Sequence, residues 1–417
     1  MASPTPVHSN GEFSQGLPPV TPPSGKFIAQ LFLVPGLIVA FVLLIFIGLG
    51  WLSSQSKSAD SLLEELRNPN LDVRWRAGEY LANELQDDCE KEKPRYAIDV
   101  KFALDLTEEL RKALDEESEM HLRIGRKTKE ETPKEYRALE SLQDLIRFLC
   151  GSLGFFDVPV SAPVLCELAL RETSVDNQVL KERRNLAIMA LAHLGDNVKY
   201  FRRQPEKKQH EMLDDLERRA EGGADRSKWA RAALQFLRNH ESMGVDAALA
   251  QCATSADPYV RKISALALAF WDGLEGDAAL LHLTHDDGHG AASDQQRLYQ
   301  KEISYQAVGS FALRGSKLFD ENPSWFLVLA EMLDEQSLRE QFQSSADGKV
   351  EVDEELVRGT IENAVRALVR LHKKRPELDL SRFQQPLEKV SQTSTRSLKS
   401  LKGVVDEARK SLSETSQ

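Results

Sequence analysis

The stretch Asp257-Pro258-Tyr259-Val260-Arg261-Lys262-Ile263-Ser264-Ala265-Leu266-Ala267-Leu268 decides how the chain folds. Asp257 before Pro258 caps a helix and turns the chain: the aspartate oxygen takes an orphan backbone N–H, and proline suits the first helical position. Val260 enters a core. Alanines spaced three and four residues from other small or apolar positions let neighbouring helices approach closely.

The pattern returns elsewhere. Val73-Arg74-Trp75-Arg76-Ala77 leads to Leu81-Ala82, and Arg184-Asn185-Leu186-Ala187 leads to Ala190-Leu191 and Leu194-Gly195. Looser copies are Ala232-Ala233-Leu234 after Asp225, and Val357-Arg358 followed by Ala364 and Ala367-Leu368. Self-similarity of this kind marks a repeat architecture. It resembles the HEAT-repeat family, whose second helices carry Asp-x-x-Val-Arg followed by small residues. The match is fullest at 257–271, partial at 70–86 and 184–195, and spans about 60–373 with irregular spacing. In that family the turn Asp and Arg bond along the stack. The resemblance gives those roles to Asp257 and Arg261, while Arg74 matches only the Arg. It implies an α-solenoid that presents binding surfaces, and no particular reaction. The plain alternative is a bundle of Ala-rich helices.

Composition agrees with helix. Ala, Leu, Glu, Lys and Arg dominate, aromatic residues are only 7%, and alternating β-branched runs are scarce. Helices are expected at about 59–67, 71–86, 96–117, 133–150, 161–171, 178–194, 206–220, 225–239, 243–253 and 258–271, then at 274–283, 293–313, 323–341, 353–373, 380–391 and 395–412. Gly195, Gly222-Gly223, Asp257-Pro258, Gly273 and Asn322-Pro323 are the expected breakers. In the last helix Leu398, Leu401, Val405, Ala408 and Leu412 share a stripe fitted to a terminal cap; a membrane-surface or partner helix is the alternative. A net charge of −11 excludes a general nucleic-acid binder.

Phe27 to Leu52 holds no charged residue, long enough to be a transmembrane candidate. Pro35 can start the helix and Trp51 sits as an interfacial anchor. The preceding tail carries Pro4, Pro6, Pro18, Pro19, Pro22 and Pro23 and cannot build a core. Cleavage near Ser56-Lys57-Ser58 is the rival reading, although the apolar run is too long for a signal h-region and lacks a basic leader. Lys57, Arg67, Arg74 and Arg76 after the run, against Lys26 before it, place the large region in the cytoplasm. Cys89, Cys150, Cys166 and Cys252 form no CxxC pair and match no zinc template, which suits a reducing compartment.

The common nucleotide-binding, hydrolase and metalloprotease motifs are absent from the sequence. Two loops carry chemistry worth weighing. His282, His285, Asp286, Asp287 and His289 could ligate a divalent metal, or simply form an exposed turn. The stretch 343–354 resembles the latter part of an EF-hand loop, with Asp347 fifth, Gly348 at the sharp turn, Val350 at the apolar position and Glu354 twelfth. Gln343 and Ser345 then stand where the first and third ligands belong, so an ordinary Asp-Gly turn competes.

The sequence thus predicts an all-α protein: a Pro-rich tail over 1–26, a transmembrane helix over 27–52, a HEAT-like solenoid over 58–373, and capping helices with a short tail over 374–417. The expected function is a single-pass, membrane-anchored scaffold or adaptor at the plasma (inner) membrane. It would bind protein partners, with no catalytic, cofactor or metal residue of its own. The competing readings are a metal-dependent enzyme or its regulatory subunit using the His282–His289 loop, and a calcium-responsive adaptor using 343–354.

Overall fold

The computed structural model describes residues 37, 39–45, 58–89, 91, 93–171, 177–202, 204–239, 243–285, 294–346, 349–393, 395 and 398–414. Contacts divide the chain into two units, Met1–Ser58 and Ala59–Gln417. In the first, Leu37 and residues 39–45 are helical. This corrects the transmembrane helix expected over 27–52. Among the described residues no helix is long and apolar enough to cross a membrane. The rest of 27–52, with Pro35 and Trp51, and the Pro-rich tail lie outside the described residues.

The second unit is built from helix pairs. In chain order they are α1 (Ala59–Leu66) with α2 (Leu71–Cys89), α3 (Val100–Ile124) with α4 (Pro133–Ser152), and α5 (Ala162–Leu170) with α6 (Gln178–Phe201). A hairpin of α7 (Glu206–Ala220) and α8 (Asp225–Asn239) follows. Then come α9 (Val245–Cys252) with α10 (Pro258–Leu268), and α11 (Leu274–Thr284) with α12 (Asp294–Arg314). The short α13 (Leu318–Glu321), α14 (Trp325–Glu331) and α15 (Glu335–Gln341) precede α16 (Glu354–Lys374), and α17 (Gln384–Gln392) with α18 (Lys402–Glu414) closes the array. The second helices form one continuous row, α2–α4–α6–α10–α12–α16–α18, each packed on the next. The first helices make the other layer, where α5, α9 and α11 pack in succession. This is the solenoid-like stack that the repeated motif implied.

Local chemistry explains the boundaries. Asp99, Asp257, Asp334 and Asp353 each accept a backbone N–H in the first turn of the helix they precede, at 2.9–3.3 Å. The Asp334 cap divides the single helix expected over 323–341 into α14 and α15. Gly195 was expected to end a helix, yet α6 runs on to Phe201. The glycine answers to packing instead: a Cβ there would lie 2.6 Å from Trp271 Nε1, and that indole donates to the Leu191 carbonyl at 2.8 Å. The terminal stripe Leu398, Leu401, Val405, Ala408 and Leu412 is buried, as a cap against α16 requires.

The fold is all-α as expected, with a small hairpin beside the helices. Gln343–Ala346 and Lys349–Val352 pair as an antiparallel hairpin, with Gln343 opposite Val352 and Ala346 opposite Lys349. Asp347 and Gly348 sit at its tip in sequence. A two-residue Asp-Gly loop between runs of four is a strong hairpin signal.

Polar ties cross the layers. Asp257 caps α10 and also accepts from Arg184 of α6 at 3.0 Å, so the bond along the stack forms. Arg261 donates to the Ser255 carbonyl at 2.9 Å within its own turn. Arg74 reaches Glu116 on α3 at 2.8 Å. The most enclosed pair is Glu117 of α3 with Arg183 of α6, joined by two hydrogen bonds of 2.6 and 2.8 Å and by Gln143 of α4 at 3.2 Å. Burial would raise the Glu117 carboxyl, but the Arg183 bonds and charge outweigh it and hold the group below the usual range. Replacing Arg183 alone with leucine leaves that carboxylate buried and unpaired. The expected loss is ~3–5 kcal/mol, while Glu117→Leu with Arg183→Leu recovers most of it; urea unfolding of the three proteins checks this.

Asp157 and Asp88 form a second buried polar spot beside α3. Asp88 accepts the backbone N–H groups of Arg95, Tyr96 and Ala97 at 2.6–3.0 Å. Among the described residues the Asp157 side chain is met by Gln204 alone, at 3.4 Å. Burial pushes the Asp157 carboxyl up to about 7, Gln204 acts against this, and Asp88 adds to it. A folded-state value above the unfolded one (~4) makes the folded chain hold the extra proton, so stability falls as pH rises from ~4 through about 7. Asp157→Asn should flatten that slope and exceed the parent by up to ~4 kcal/mol above neutrality, read from denaturant midpoints at pH 5, 6, 7 and 8.

Candidate interaction groove

Four members of the second-helix row line a groove of about 480 Å³. Met189 of α6 closes one end. The N-terminal halves of α10, α12 and α16 supply the walls, through Tyr259 and Lys262, Tyr299 and Glu302, and Glu355 and Gly359. The opposite ends of the same helices converge. Arg370 of α16 reaches Asp196 of α6 at 2.7 Å, and both Arg370 and Lys199 lie over the Phe270 ring, at 5.4 and 4.4 Å. Lys374 donates to the Arg314 carbonyl at 2.7 Å. The groove is therefore the open side of a set of helices held together at their C-terminal ends.

Its surface is mixed. Ile263 and Met332 form an apolar floor, and Tyr305 is buried with its hydroxyl donating to Gln341 at 2.6 Å. Burial and the nearby Glu331 drive that phenol far above its ordinary value, so it stays protonated. Two other tyrosines stand open, Tyr259 at 47% exposure and Tyr299 at 42%. Asn363 donates to Gln306 at 3.2 Å across the groove floor. Lys262 is bound by Glu302 at 2.7 Å and lies 5.3 Å from the centre of the Tyr259 ring. Gly359 sits within α16, where glycine costs roughly 1 kcal/mol against alanine. A Cβ there would meet nothing within 4 Å, so no packing demand accounts for the residue.

A second groove, of about 330 Å³, lies farther along the row between α4 and α6. Glu140, Asp144, Arg147 and Glu182 line it, together with the Arg183 that already pairs with Glu117.

The loops singled out in the sequence fare differently. His282 and His285 are exposed, and His285 Nδ1 lies 2.9 Å from the Leu281 carbonyl. Asp286, Asp287 and His289 lie outside the described residues, among which no cluster of three or more His, Cys, Asp or Glu could hold a metal. In the stretch resembling an EF-hand, the backbone forms the hairpin instead of wrapping an ion. Asp353 caps α16, and Glu354, the expected bidentate ligand, is held by Arg339 at 2.6 and 2.7 Å. The four cysteines are free. Burial pushes Cys150 and Cys166 up to about 12 and Cys252 to about 11, which leaves those three as thiols. The groove itself was missed. Tyr259, Lys262, Ile263 and Leu266 of its lining fall inside the repeated stretch, Tyr259 at its variable position, while Tyr299, Glu302 and Glu355 carry no periodic signal.

No family model matches this chain, and no curated protein matches it. Among solved structures it is similar to a crystal structure of an engineered protein, at 14% identity over 84% of this chain and 88% of that one, with a TM-score of 0.25. It is also similar to human deoxyhypusine hydroxylase in complex with glycerol, at 14% identity over 84% and 96%, with a TM-score of 0.22. These values are too low for either neighbour to bear on what this chain does.

If the groove residues serve a ligand and not the fold, changing them should leave stability intact. Tyr259→Ala and Glu355→Lys are expected to shift unfolding by no more than ~0.5 kcal/mol. Gly359→Ala should raise stability by ~0.5–1 kcal/mol. Thermal and urea unfolding test all three.

Proposed function

We propose that the repeat region is a protein-binding scaffold and that the groove across α6, α10, α12 and α16 is its main contact surface. The observation that carries this reading is the combination there of open tyrosine faces, an apolar floor and a helix-interior glycine with empty space above it. Exposed tyrosines supply contact area at little entropy cost and are favoured at interfaces. Among the groove's described lining residues the one aliphatic hydroxyl, Thr360, is buried and no histidine or cysteine accompanies it, so binding fits these side chains better than nucleophilic catalysis does. The four free thiols favour work in a reducing compartment as part of the same proposal.

Site-resolved photo-cross-linking tests it. A photoreactive phenylalanine at position 259 should capture discrete partners from an extract of the source cells. The same group at Lys207, which is 88% exposed on α7, should not. Equal capture from both positions, or none from 259, would remove the groove as the contact surface.

A further inference from the structure

The groove's charges narrow what can occupy it. Among its lining residues, three carboxylates, Glu302, Asp353 and Glu355, face one cation, Lys262. That cation is neutralised by Glu302 at 2.7 Å. Asp353 caps α16, but a full carboxylate charge exceeds the roughly half charge of the helix end it faces. Glu355 is exposed in the first turn of α16 and, among the described residues, forms no ion pair. Tyr259 and Tyr299 add open ring faces, which attract ammonium and guanidinium groups. Gln306 is buried and spent on Asn363 and Ser310, which leaves the Asn363 carbonyl as the amide group at the groove floor. The second groove shows no such excess, because Lys129 pairs with Glu140 at 2.6 Å, Arg147 with Asp144 at 3.2 Å and Arg183 with Glu117.

We infer that the groove receives an extended, Arg- or Lys-bearing segment of another protein, its cation lying over Tyr259 or Tyr299 and toward Glu355. This rests on the scaffold reading and adds the chemistry of the partner. An acidic segment would meet the Glu355 and Asp353 carboxylates, and a purely apolar one would leave Glu355 without a counter-charge. Gly359 leaves room for the backbone to pass close to α16.

The test uses the full chain and biotinylated nonapeptide pools, random except for one central position fixed as Arg, Lys, Glu or Leu. Arg and Lys pools should bind at least tenfold more tightly than the Glu pool, and binding should weaken as salt rises from 50 to 500 mM. Glu302→Gln with Glu355→Gln should erase the preference. Gly359→Trp should lower binding of every pool at least tenfold while the protein stays folded by circular dichroism. Equal affinity for Glu and Arg pools, no binding of any pool, or a preference that survives Glu302→Gln with Glu355→Gln would each overturn the inference. The scaffold reading is judged separately: partners captured at position 259 through segments without Arg or Lys would keep that reading and discard this one.

Discussion

The apolar faces of α2, α4, α6, α10, α12 and α16 can be buried only against one another and against their own partners, and this constraint shapes the rest. Helices in such a row must come close, so small residues recur where they touch. Ala187 and Ala190 on α6, Ala265 and Ala267 on α10, and Ala307 on α12 are all buried. Where alanine is still too large the chain carries glycine, as at Gly195 beneath the Trp271 indole. The Asp257 carboxylate then joins two levels of organisation, capping its own helix while accepting from Arg184 of the preceding pair.

Most of this was readable from the sequence because repetition and helical periodicity leave strong marks. The starts of α1, α2, α4, α6, α7, α8, α10 and α11 fall where caps and breakers place them. What failed did so where one local rule yielded to another force. Gly195 carries a stop signal, but tertiary contact explains it. Asp334 sits within a helical pattern and still opens a new helix, because its side chain takes two backbone N–H groups. Asp347-Gly348 suggested part of a calcium loop, while the pairing of 343–346 with 349–352 answers to hairpin geometry. The apolar run at 27–52 satisfied a length criterion that no helix among the described residues meets. The groove left almost no trace in the sequence, since it is assembled from four helices spread over some 170 residues.

Burial displaces acidity both at the groove and away from it, and Tyr305 on the groove floor is driven far up. Burial lowers the Lys199 amine to about 7 beside Phe270, and Arg370 adds to this. Asp157 and Cys150 are shifted by burial in the packed body. Perturbed acidity often marks a reactive centre. Here it marks the cost of packing charged or polar side chains between helix layers, and the groove keeps its carboxylates near solvent.

The convergence of helix ends around Phe270 has a mechanical meaning. With Arg370, Asp196 and Lys199 gathered there, α6 and α16 meet at their C-terminal ends, while their N-terminal ends take separate partners, Asp257 for Arg184 and Arg339 for Glu354. A helix of 21 residues is a lever ~30 Å long, so a rotation of ~5° about the fastened end moves the far end by roughly 2–3 Å. That is close to the difference in girth between one side chain and the next. Any such turn about Phe270 would reach the groove walls enlarged, and the Arg184–Asp257 and Arg339–Glu354 pairs are what resist it there.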